Sequence, residues 1–68
     1  MEYKAGQIYR SEKHGSTITV LEVQSIGFDR VAVTFKIEMP KENWIQETKW
    51  NGAVLTDFIK HNEYSLVA

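Results

Sequence analysis

From Val31 to Ile37 the chain alternates without a break: Val31, Val33, Phe35 and Ile37 are apolar, with Ala32, Thr34 and Lys36 between them. Successive side chains of an extended strand point to opposite faces, so this segment reads as a strand with one buried and one mostly polar face. Such a strand needs neighbours and a cover, which is demanding in a chain of 68 residues. A domain of this size buries only about 60% of its unfolded surface, and many add a disulfide or a metal. Cysteine is absent, which excludes a disulfide framework and a thiolate zinc site. The remaining routes are a tight aromatic core or self-association. Eight aromatics run along the chain (Tyr3, Tyr9, Phe28, Phe35, Trp44, Trp50, Phe58 and Tyr64), each able to bury roughly 150–250 Å². One domain over residues 1–68 is expected, and its core should hide about half of these rings.

The rest of the chain divides into short β segments separated by turn signals. Gln7 to Arg10 reads as a first strand after Gly6, and Ser11 to Ser16 as a polar connection around Gly15. Thr17 to Gln24 is rich in β-branched residues and reads as the second strand. Its phase changes midway, because Ile18 and Val20 share one parity while Leu21 and Val23 share the other. That change predicts a bulge or sharp bend. Ser25 to Asp29 reads as a loop around Gly27, and Met39-Pro40 ends the third strand. Trp44 to Trp50 alternates again, with Trp44, Gln46, Thr48 and Trp50 on one face and Ile45, Glu47 and Lys49 on the other. Asn51-Gly52 reads as a turn dipeptide. Leu55, Phe58 and Ile59 then take helical spacing, which predicts one or two turns capped by Thr56 or Asp57. Tyr64 to Val67 closes the chain as a last strand.

Five short antiparallel strands with a helical turn before the fifth is the order of a small SH3-like β-barrel, mainly all-β. An OB-like barrel, the second choice, places its helix between strands three and four. Three segments also resemble a type of small bacterial and bacteriophage protein. These are Gly6-Gln7-Ile8-Tyr9-Arg10-Ser11, Ile18 to Val23, and Asp57 to Val67, with a G-x-x-Y-R opening strand and an ending in which Phe58 is followed by Tyr64-x-Leu66-Val67. The resemblance implies a compact SH3-like fold and brings no catalytic residues. It covers the two ends and the second strand, leaving Glu38 to Asn51 without a counterpart.

Chemistry is thinly supplied. His14 and His61 fall in different connections, and Asp57 with His61 at i, i+4 offers only two ligands, so no metal or other cofactor is expected. The glycines are isolated and cradle no phosphate. Ser16 lies two residues from His14, but a turn explains that spacing without a catalytic triad. Glu22, Glu38, Glu42 and Glu47 read as solvent-facing carboxylates, so catalysis is not expected. No apolar run is long enough for a membrane span or a signal peptide core. A complete cytoplasmic gene product of a bacterium or phage is the expectation.

The candidate site is therefore the face carrying Trp44, Gln46, Thr48 and Trp50, two large aromatics around a polar centre. Turned outward, it suits a protein partner or a second copy of the chain, since interfaces favour tryptophan anchors. If Ile45 points inward the patch exists; if the tryptophans point inward, Ile45 is exposed and the patch vanishes. Tyr9, Trp44 and Tyr64 are candidates for a peptide groove by analogy of fold alone. Single-stranded nucleic acid is the alternative ligand, stacking on the same aromatics with Lys41, Lys49 and Arg10 on phosphates. Eight basic against nine acidic residues give a net charge of −1, which disfavours that reading by removing long-range attraction.

Overall fold

The structure is a computed structural model that describes residues 2–68. Five strands form one antiparallel sheet: β1 (Ile8–Ser11), β2 (Ser16–Gly27), β3 (Arg30–Met39), β4 (Trp44–Asn51) and β5 (Ser65–Leu66). A 3-10 turn at Pro40–Glu42 joins β3 to β4, and helix α1 (Gly52–His61) lies between β4 and β5. The spatial order is β4-β3-β2-β1-β5. The helix thus precedes the fifth strand, the placement that separates the SH3-like order from the OB-like one. The sheet does not close, because β4 and β5 are its two ends. No helix is long and apolar enough among the described residues to cross a membrane.

The phase change in β2 is a bulge. Val20 pairs with Phe35 and Glu22 with Thr34, which leaves Leu21 as an extra residue. The insertion returns Val23 to the core side, opposite Val33. It also leaves Leu21 partly exposed. The expected loop at Ser25–Asp29 is shorter than its sequence suggests. β2 runs to Gly27, which pairs with Arg30, so only Phe28 and Asp29 form the turn. Both have positive φ, 48° and 60°, as a two-residue hairpin of the primed type requires.

Asn51-Gly52 is a strand-to-helix junction rather than a hairpin turn. The Asn51 side chain accepts from the Ala53 N–H at 2.9 Å and caps α1, a role expected at Thr56 or Asp57. The helix therefore starts earlier and has ten residues, about three turns. Gly52 is buried, and a Cβ there would lie 2.7 Å from Val31 Cγ2. Glycine at this position lets the helix leave the sheet in close contact with β3.

Leu55 and Ile59 put the apolar stripe of α1 onto a cluster with Tyr3, Tyr9, Ile18, Val20, Val33, Phe35, Ile37 and Tyr64. Tyr3 lies outside the regular elements and shares a 2.7 Å hydrogen bond with Thr56 of α1. Two buried serines tie the β1–β2 turn to the segment after α1. Ser11 Oγ donates to the Asn62 carbonyl at 2.9 Å, and Ser16 Oγ shares a short hydrogen bond with the Tyr64 hydroxyl. β5 has two residues in place of the expected four, and the ladder beside it continues through Val67 N–H to Ile8 C=O at 2.8 Å.

Candidate functional site

Register decides which way the β4 aromatics point. Gln46 pairs with Ile37, Thr48 with Phe35 and Trp50 with Val33. Directly opposed residues share a sheet face, and Val33, Phe35 and Ile37 are core. Trp44, Gln46, Thr48 and Trp50 therefore lie on the core-side face, and Ile45 is 66% exposed on the opposite one.

The aromatic surface nevertheless persists, because α1 is too short to cover the whole face. At one end Trp50 packs edge-on against Phe35 and against Phe58 of α1, with ring centroids 5.0 and 5.4 Å apart. At the other end Trp44 remains 42% exposed. Between them lies a groove of about 260 Å³ with Phe35, Ile37 and Met39 from β3 and Phe58 from α1 completing its lining. No titratable side chain lines it. Its polar groups are the Gln46 amide and the Thr48 hydroxyl. Beyond Met39 and Phe58 a second concavity of about 280 Å³ continues past Tyr64, Asn62, His14, Ser16, Lys41 and Glu42.

The other expected binding residues scatter. Lys41 lines the second concavity, and its side chain passes over the Gly15 turn. Lys49 is on the face opposite the core, where its Nζ donates to Gln24 Oε1 at 2.9 Å. Arg10 is exposed on β1, beyond β2 and β3 from the aromatics. Tyr9 is core and packs edge-on against Tyr3. The groove thus gathers four of the eight candidates, and Lys41 lines the concavity next to it. Sequence reasoning missed Met39, read only as the end of a strand, and gave Phe58 no role beyond its helix.

Another concavity, about 350 Å³, lies elsewhere, at the start of α1 between Arg30, Asp29 and Asp57. It mixes both charge signs, and its Asn51 side chain is already engaged in capping. Burial pushes the Tyr3 and Tyr9 hydroxyls above their ordinary value, for Tyr3 partly offset by the Thr56 hydrogen bond. At the surface, Lys13 lies 3.0 Å from Glu63 and holds its carboxyl below the usual range. No group of three or more histidine or acidic side chains among the described residues could hold a metal ion.

Comparison of the chain with protein-family models, curated proteins and solved structures finds no match.

Proposed function

We propose that this chain is a non-catalytic binding module, an accessory protein that takes apolar side chains of an extended partner-protein segment into the groove beside Trp44. The observation that supports this reading is an open groove with an aromatic and aliphatic floor and no titratable lining group. Burying apolar side chains there yields roughly 25 cal/mol for each Å² removed from water. Trp44 is the anchor because it has surface left to bury, while Gln46 and Thr48 orient the ligand. Single-stranded nucleic acid is the weaker reading, since Lys49 lies on the opposite face of β4 from the rings and Arg10 is three strands away.

The test is selection from a library of extended peptides, followed by titration of each selected peptide against tryptophan emission. Selected sequences should carry apolar residues, shift the emission to the blue, and lose at least about tenfold in affinity with Trp44→Ala. Peptides indifferent to Trp44→Ala would overturn the groove as the site. Affinity for an oligothymidylate that falls steeply with salt would favour nucleic acid instead.

A further inference from the structure

Strand β4 is an end of the sheet, with one side of its backbone paired to β3 and the other free over Trp44–Asn51. An unpaired edge of this length is a template for another strand. The opposite edge, β5, is two residues long and offers no comparable ladder.

The edge sequence is self-complementary. Two copies of β4 running antiparallel about Thr48 place Glu47 opposite Lys49 of the partner subunit, and Lys49 opposite the partner's Glu47. Thr48 faces the partner's Thr48 at the two-fold axis. Moving the centre by one residue puts Glu47 against the partner's Glu47, or Lys49 against the partner's Lys49. Parallel pairing in register also opposes like charges. Only the Thr48-centred register matches opposite charges while keeping both core-side faces on one side of the joined sheet, and directly opposed like charges are destabilising.

Both charged groups are available. Lys49 has a neutral acceptor, Gln24 Oε1, at 2.9 Å. Lys36 stands opposite Glu47 on β3, but its ammonium lies 3.4 Å from Glu38. We infer that this chain forms a two-fold homodimer by antiparallel pairing of its β4 edges about Thr48, with reciprocal Glu47–Lys49 pairs fixing the register. The joined sheet has ten strands, and Gln46 of each copy lies opposite the partner's Trp50, so the two grooves run side by side. The pairing does not depend on what the groove binds.

Sedimentation of the wild type with charge-reversed variants tests it. The wild type should show a concentration-dependent dimer. Glu47→Lys alone, or Lys49→Glu alone, should raise the dimer dissociation constant roughly tenfold or more, because each reversal opposes like charges twice. The Glu47→Lys, Lys49→Glu double variant should return it toward the wild-type value, and the two single variants mixed should form a heterodimer. Thr48→Cys supplies the only thiol in the chain, and mild oxidation should cross-link it as a dimer. A cysteine at Arg10 should not cross-link. A wild type that stays monomeric at every concentration would overturn the proposal. So would a dimer insensitive to both single reversals, or equal cross-linking at positions 48 and 10. Peptide affinity measured on the charge variants separates this result from the fate of the groove.

Discussion

Trp44 and Trp50 occupy the same face of the same strand, yet they have different roles. Trp50 lies where α1 crosses the sheet and has Phe35 and Phe58 against its ring. Trp44 lies beyond the reach of the helix and keeps 42% of its surface exposed. Neither residue type nor parity distinguishes them. The difference is set by the length of the cover: ten helical residues shield one end of an eight-residue strand and leave the other as a groove wall. A domain this small can therefore keep an open aromatic groove by incomplete coverage of its own core face.

The sharpest way to break this contrast is to truncate each ring. Trp50→Ala should cost about 3 kcal/mol of unfolding free energy, as expected for an aromatic removed from a packed cluster. Trp44→Ala should cost less, about 1–2 kcal/mol, because 42% of its surface is already in water. Equal losses in urea unfolding would show that the two ends are covered alike. Iodide quenching sharpens the same point, since Trp44→Phe should remove most of the quenchable emission.

Next in size is the junction that seats the helix. Gly52→Ala should destabilise by about 1–3 kcal/mol through overpacking against Val31. The Val31→Ala, Gly52→Ala pair should recover part of that loss, and full additivity would exclude the contact. Asn51→Ala should cost about 1 kcal/mol by removing the cap. Asn51→Asp should cost less, because its carboxylate still accepts from the Ala53 N–H. If capping positions α1 over Trp50, the emission of Asn51→Ala should move to the red.

The smallest expected effect is at high pH. Folding raises the Tyr3 and Tyr9 pKa values above the ordinary 10.0. Their contribution to stability is complete below pH 10.0, and it is lost as pH rises from there through the folded values. Phenolate absorbance should lag behind that of the urea-unfolded chain, and Tyr3→Phe should flatten the alkaline fall in stability. Coincident folded and unfolded titrations would mean that both hydroxyls remain in water.

The strand plan was legible because apolar period is a local property. The change of parity between Val20 and Leu21 announced the bulge, and the alternation in β3 announced its two faces. The helix start was misread because asparagine serves both hairpin turns and helix caps. Only the direction the chain takes after Asn51 tells the two apart. Tyr3 gave no strand or helix signal, and its burial depends on packing against Tyr9 and bonding to Thr56, far along the chain. Half of the candidate site was legible as four residues on one face. Met39 and Phe58 were not, since each joins the groove from another element.

By itself the sequence determined the strands, the bulge, the shared face of Trp44 and Trp50, and the alternating charges of the β4 edge. Each follows from side chains one to four positions apart on a regular backbone. The tertiary structure decided that this face points to the core side, through the pairing of Thr48 with Phe35. It also decided that the core side is only partly covered, through the reach of α1. Parity separates two faces without choosing between them, and the choice comes from contacts between segments distant in the chain.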